Sequence, residues 1–228
     1  MPAGSHEGDG HGPIVVINPN STEAVTAAID LALEPLRLAG GPQIVCQTLD
    51  EGPPGVESQH DSDSVIEPLC RTIAAQDNAA SAFVIACFSD PGLHTVREAA
   101  AGRPVMGIAE WGLLRALTLG ERFGIIALSP ASAQRQQRYV RQMALQDRYA
   151  GSWPIDASAA ETAGEAVRER LAEAGRILAT RGADVLVLGC AGMASHRRAL
   201  QDLIGRPVVE PTQQAVAAAI GALLLAEA

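Results

Sequence analysis

One stretch of this chain returns in outline 103 positions later. Phe83-Val-Ile-Ala-Cys87 is echoed by Leu186-Val-Leu-Gly-Cys190, and Gly102-Arg-Pro-Val105 by Gly205-Arg-Pro-Val208, both at that same offset. Each copy is an aliphatic run ending in cysteine, followed by a Gly-Arg-Pro turn that opens a further aliphatic run. Two matches with one loop length between them predict two halves with the same order of elements, divided near Gly120.

The rest of the chain fits that pattern. Short aliphatic runs alternate with longer helix-like segments, which is the signature of parallel sheets covered by helices. Strands are expected at Ile14–Ile17, Gln43–Leu49, Phe83–Cys87, Val105–Ile108, Phe123–Leu128, Val185–Cys190 and Val208–Val209. Asn20, with Glu23 three residues on, predicts a capped helix carrying Val25, Ile29, Ala32 and Leu36 on one face and stopped at Gly40-Gly41. Further helices are expected near Ser64–Ala75, Gly92–Ala101, Ser132–Ala144, Ala160–Thr180, His196–Leu203 and Thr212–Ala226, with a loop above the sheet from Pro53 to Ser64. The expected fold class is therefore α/β: two pseudo-symmetric lobes, each a mostly parallel sheet flanked by helices, with the active site in the cleft between them. Residues 1–13 are expected to be a flexible tail, 14–120 the first lobe and 121–228 the second, with the C-terminal helix able to pack on the first.

Composition narrows the chemistry. Of 228 residues, 17 are basic and 26 acidic, giving a net charge of −9, and every base is arginine. Without lysine there is no Schiff-base chemistry and no phosphate-binding P-loop. The acidic balance, with no basic stripe, excludes a nucleic-acid footprint. Met1–Gly12 lacks the basic and apolar regions of a secretion signal, and the longest apolar run, Ala215–Ala226, falls short of the ~20 residues that span a bilayer. The expectation is a cytoplasmic protein with no membrane partner. Its four cysteines should then be reduced thiols rather than a disulfide framework.

Ligands of open parallel sheets bind at the carboxyl ends of the strands. Cys87 and Cys190 both stand there, and two facing halves would aim them into one cleft from opposite sides. Two thiols on either side of a carbon are what a two-base proton transfer needs, one removing a proton and the other returning one. Backbone N–H groups in the following turns should draw both thiols towards neutral pKa values and hold an oxyanion. Asn18, Asn20 and Ser21 at the end of the first strand, Phe88, Ser89 and Asp90 after the first cysteine, Ala191, Gly192 and Met193 after the second, and Ser129 after the fifth strand are the candidate substrate-binding residues. Cys46 and Cys70 read as packing residues. His94 and His196 read as helix residues outside the catalytic set, Glu110 either as a residue reaching the cleft or as a cap of the next helix, Trp111 as a packing residue, and Arg135, Arg138 and Arg141 as a solvated helix face. His6, His11 and His60 lack metal-ligand spacing, so no metal and no cofactor are expected.

Ile17-Asn-Pro-Asn-Ser-Thr22, Val84-Ile-Ala-Cys-Phe-Ser-Asp-Pro-Gly92, Gly107-Ile-Ala-Glu110 and Val187-Leu-Gly-Cys-Ala-Gly-Met193 together resemble the aspartate/glutamate/hydantoin racemase superfamily, in particular its hydantoin and allantoin racemase branch. The resemblance runs from about Ile14 to Ala226. It implies two pseudo-symmetric lobes, a cofactor-independent reaction, a cysteine pair as acid and base at Cys87 and Cys190, a small-molecule substrate and a homo-oligomer. The superfamily's amino-acid racemases usually carry Cys-Asn-Thr and Cys-Thr-His. The Cys-Phe-Ser and Cys-Ala-Gly found here point to a 5-substituted hydantoin or a related ureide such as allantoin instead. An aspartate or glutamate racemase, a maleate-type cis–trans isomerase and a non-catalytic small-molecule binding protein are the alternatives.

Overall fold

A computed structural model describes residues 12–76 and 79–226; the first eleven residues of the expected tail lie outside this range. In chain order the elements are β1 (Ile14–Asn18), α1 (Glu23–Ala32), β2 (Ile44–Thr48), α2 (Gln59–Ser64), α3 (Ile66–Ala75), β3 (Ala82–Ile85), α4 (Leu93–Ala99), β4 (Val105–Gly107) and α5 (Ile108–Leu117). They continue with β5 (Phe123–Ala127), α6 (Pro130–Gln142), β6 (Tyr149–Pro154), α7 (Arg168–Thr180), β7 (Val185–Leu188), α8 (Arg197–Ile204), β8 (Val208–Val209) and α9 (Pro211–Ala226).

The eight strands form two four-stranded parallel sheets, ordered β2-β1-β3-β4 and β6-β5-β7-β8. The order in one becomes the order in the other when four is added to each strand number. The echo in the sequence marks this correspondence: β3 and β7 begin 103 positions apart, and so do α5 and α9. Apart from the edge strands β2 and β6, the strands are buried on both faces, and their alternation sorts side chains into different cores. Ile14 and Val16 face a core shared by the two sheets, together with Phe123, Ile125, Val185 and Val187. Val15, Ile17, Phe83 and Ile85 face an outer core under α3 and α4, and Leu186 and Leu188 face its counterpart under α7.

The halves exchange their inner helices. α5 packs against β5, β7 and β8 of the second sheet, whereas α9 packs against β1, β3 and β4 of the first, and the two helices lie against each other. Among the described residues, no helix is long and apolar enough to cross a membrane.

Several boundaries differ from those expected. The first helix starts at Glu23 with Thr22 as its N-cap and ends at Ala32, with a short 3-10 turn following at Glu34–Leu36. Leu36 therefore belongs to that turn and not to the helix. The stretch before Ser64 is partly helical, because Ser58 and Asp61 form a capping box that opens α2. The long helix expected from Ala160 begins only at Arg168: Gly164 adopts an extended conformation, and 3-10 turns occupy the residues on either side. α5 and β6 were not among the elements expected by range. α5 follows β4 without a loop, and β6 is a half-buried edge strand carrying Gly151 and Pro154, whose periodicity is weak.

Candidate active site

Cys87 and Cys190 each stand two residues beyond the ends of β3 and β7, and both line a single narrow cavity between the lobes, about 40 Å³ in volume. The first lobe contributes Asn20, Val25, Val56, Phe88 and Ser89 to its wall; the second contributes Leu128, Ser132, Arg135, Gln136, Ala159 and Ala191. The surroundings of the two sulfurs match across the pseudo-twofold. The backbone N–H of Ser89 donates to Cys87 Sγ, and that of Gly192 to Cys190 Sγ. The position two residues after each cysteine thus supplies the same hydrogen bond. At Gly192 a Cβ would lie 2.3 Å from Thr162 Oγ1, so only glycine brings its N–H this close to the sulfur.

The hydroxyl neighbours differ. Ser89 Oγ lies 3.2 Å from Cys87 Sγ. On the other side Thr162 Oγ1 is 3.9 Å from Cys190 Sγ and donates to the Ala159 carbonyl at 2.6 Å. Both thiols are pushed above the ordinary cysteine range, Cys190 to about 11, because removal from water disfavours the thiolate more than the nearby N–H groups favour it. This corrects the expectation of thiols tuned towards neutrality. The guanidinium of Arg135 acts on Cys87 in the opposite sense, lowering it.

Of the twelve candidate site residues, six line the cavity: both cysteines, Asn20, Phe88, Ser89 and Ala191. Gly192 acts from behind Cys190 through its N–H. The other five are occupied elsewhere. Asn18 is buried and clamps the turn after β1, its Nδ2 donating to Asn20 Oδ1 and Thr26 Oγ1 at 3.0 Å each. Asn20 Oδ1 also accepts from the Thr22 N–H, so Asn20 orders the entry to α1 from two positions before its cap. Ser21 donates its N–H to the Pro53 carbonyl and holds the loop that follows β2. Asp90, at a positive φ of 41°, turns its carboxylate away to accept from Ala109 N–H, Glu110 N–H and Tyr139 OH, tying α5 and α6 together. Ser129 is the N-cap of α6, in a reciprocal pair with Ser132. Met193 is wholly buried in the outer core of the second lobe.

The sequence reading passed over Arg135. It shares a helical spacing with Arg138 and Arg141, and such a stripe is most simply a wet face. In the fold Arg135 is half-buried, lines the cavity, and donates from Nη1 to the Glu57 carbonyl of the other lobe at 2.6 Å. Its Nε is buried with no hydrogen-bond partner. Gln136, buried beside it, accepts from Ser152 Oγ. A clue in the sequence was the Gln-Arg-Gln-Gln context on the helix that follows a strand end, but only tertiary packing singles out one arginine of the three. Glu110 pairs with Arg97 at 2.6 Å, Trp111 donates to Met106 Sδ, His94 is exposed, and His196 is buried with Nε2 3.0 Å from the Thr162 carbonyl. Among the described residues, no group of three or more His, Cys, Asp or Glu side chains is placed to hold a metal ion.

Comparison with known proteins adds an independent line. A family model described as Asp/Glu/Hydantoin racemase matches residues 14–219. The chain is 33% identical to the hydantoin racemase of Paenarthrobacter aurescens over 214 residues, covering 89% of this chain and 87% of that one. It is 35% identical to the hydantoin racemase of Rhizobium meliloti over 217 residues, covering 89% and 85%. An allantoin racemase structure from Klebsiella pneumoniae superposes with a TM-score of 0.87 at 28% identity, covering 94% of this chain and 89% of that one.

Proposed function

Because the chain belongs to the Asp/Glu/hydantoin racemase family and is an isomerase of the racemase type, we propose that it racemises a 5-substituted hydantoin or a related small ureide, allantoin included, with Cys87 and Cys190 as its two bases and no cofactor. The observation that carries this reading is that the two sulfurs line one narrow cavity, each beyond the end of a corresponding strand and each accepting an N–H from the residue two positions on.

The chemistry follows from the arrangement. The C5–H of a hydantoin ring lies next to the C4 carbonyl, so the electron pair left by deprotonation spreads onto that oxygen. One cysteine, as thiolate, takes the proton from one face. The other, as thiol, delivers a proton to the opposite face, and configuration inverts. After turnover the two sulfurs have exchanged protonation states, so each serves one enantiomer. Asn20, the Ser89 hydroxyl, the Ala191 backbone and Gln136 are the polar groups positioned to orient the ring. Val25, Val56, Phe88 and Leu128 supply the apolar walls that keep water from the carbanion. Thiol chemistry of this kind needs a reducing compartment, so we place the protein in the cytoplasm.

The test follows both optical rotation and C5 deuterium uptake across a panel of hydantoins, allantoin, aspartate and glutamate in D2O. Racemisation of at least one ureide is expected. C87S and C190S should each lower it by about 10²–10⁴-fold, and each should retain exchange of one enantiomer's proton. Activity confined to the amino acids, or a single-cysteine variant that still inverts configuration at the full rate, would refute the reading.

A further inference from the structure

The two cysteines are alike in their backbone hydrogen bonds but unlike in what stands behind them. Ser89 Oγ, 3.2 Å from Cys87 Sγ, is also 3.3 Å from Ser62 Oγ on α2. Both serines line a second cavity of about 120 Å³ on the far side of Ser89. Its rim is formed by Gln59, Arg138 and Gln142, all exposed side chains. Two hydroxyls therefore join Cys87 to a second, solvent-facing space, which shares Phe88, Ser89 and Arg135 with the wall of the first cavity. Among the described residues, Cys190 has no comparable pair of hydroxyls behind it. Its hydroxyl neighbour Thr162 is fully buried and gives its proton to the Ala159 carbonyl, an acceptor that cannot pass one on.

We infer that Ser89 and Ser62 form a proton relay serving Cys87 alone, so that the Cys87 thiol exchanges its proton with solvent while substrate fills the site, and Cys190 holds its proton until the cleft opens. The inference rests on the reading that the two thiols trade protons with a bound carbon acid, and it adds an asymmetry between the two directions. The step balances as a hydroxyl chain. The Cys87 proton passes to Ser89 Oγ as the Ser89 proton passes to Ser62 Oγ and the Ser62 proton passes to water in the outer cavity. The chain leaves a thiolate, two neutral hydroxyls and one proton in solvent, and it runs backward to reload the thiol. Ser62 is a positioning residue. It is 4% exposed and does not line the substrate cavity.

The relay can be read without substrate, because an S–H stretching band moves on deuteration. The full chain is mixed into D2O, its thiol bands are followed by time-resolved infrared spectroscopy, and each band is assigned with C87S and C190S. The Cys87 band should exchange about tenfold or more faster than the Cys190 band. S62A should remove most of that difference, S62T should restore it, and neither should alter exchange at Cys190. With an active hydantoin in D2O, the enantiomer deprotonated by Cys87 should be recovered with deuterium at C5 before it is converted, and S62A should abolish that wash-in. Equal exchange of the two thiols in the unmodified protein overturns the relay, as does a Cys87 rate indifferent to S62A. If the thiols differ but no ureide takes up deuterium, the relay stands and the proposed substrate class falls.

Discussion

At Cys87 and Cys190 two opposing effects meet at a single atom. Each sulfur receives an N–H, which favours the thiolate, and each is withdrawn from water, which disfavours it. Burial wins at both, and Cys190 is pushed up to about 11. The proposed two-base reaction needs one thiolate and one thiol, and on that proposal the active form of the free enzyme is singly deprotonated and scarce at neutral pH. The rate should therefore climb as pH rises through neutrality and turn down only where the second thiol ionises, both limbs belonging to the pair. A profile of kcat/KM that is already flat below pH 7 would contradict this. Arg135 is the guanidinium that works against burial at Cys87. Replacing it with glutamine should move the rising limb to higher pH and lower the rate at pH 7. Arg135→Lys, which keeps the charge but loses the fixed fork, should fall between the two.

Helix starts explain why so many polar residues near the strand ends do not face the substrate cavity. Ser129 caps α6, Asp90 caps α5 by accepting from Ala109 and Glu110, and Glu210 caps α9 by accepting from Thr212 and Gln213. The Asp90 carboxyl is drawn so far from water that its pKa is raised to about 6, despite a further hydrogen bond from Tyr139. Gly107 makes room for it, since a Cβ there would lie 2.3 Å from Asp90 Oδ2. An aspartate in the unfolded chain titrates near 3.9, so between about pH 4 and pH 6 the folded state binds the extra proton. Its contribution to stability is complete below that window and is lost as pH rises through it. Asp90→Asn does not titrate, so the stability of the native chain relative to this variant should fall by about 2–3 kcal/mol from pH 4 to pH 7. Denaturant unfolding at the two pH values measures the difference, and a constant gap would show that this carboxyl does not carry its proton into the fold.

Across the whole molecule, the lobes are joined beside the cavity by direct contacts. Arg135 reaches the Glu57 carbonyl, Ala159 N–H donates to Glu57 Oε1 at 3.1 Å, and Arg138 Nη2 donates to Gln59 Oε1 at 3.0 Å. The loop after Pro53 thus carries Val56 and Glu57 over the mouth of the site, and Gly55 lets it approach the second lobe, where a Cβ would lie 3.2 Å from that of Ala159. On the proposed function, a hydantoin ring is larger than the cavity of about 40 Å³ and should enter as these contacts part. Glu57→Ala removes the bond to Ala159, and its loss should favour opening by about 1 kcal/mol. Iodoacetamide should then alkylate the paired cysteines about fivefold faster, with little change in Tm. An unchanged alkylation rate would mean that entry does not run past Glu57.

The sequence alone was enough for the two-sheet architecture, because aliphatic runs that must be buried on both faces leave few alternatives to parallel strands under helices, and the common offset showed that the arrangement occurs twice. It also singled out Cys87 and Cys190, since a strand end is where such a sheet presents side chains to a ligand. Local pattern could not separate residues that share a turn but face different ways. Asn20 and Ser89 line the cavity whereas Asn18 and Asp90 close helices and turns, a distinction set by the path of the backbone over a few residues. Nor could it show that Arg135 leaves its helical stripe to cross the cleft, that α5 packs on the second sheet, or that burial outweighs backbone donors at the thiols. These depend on what lies opposite in space, and desolvation is a property of the packed molecule that no single segment carries.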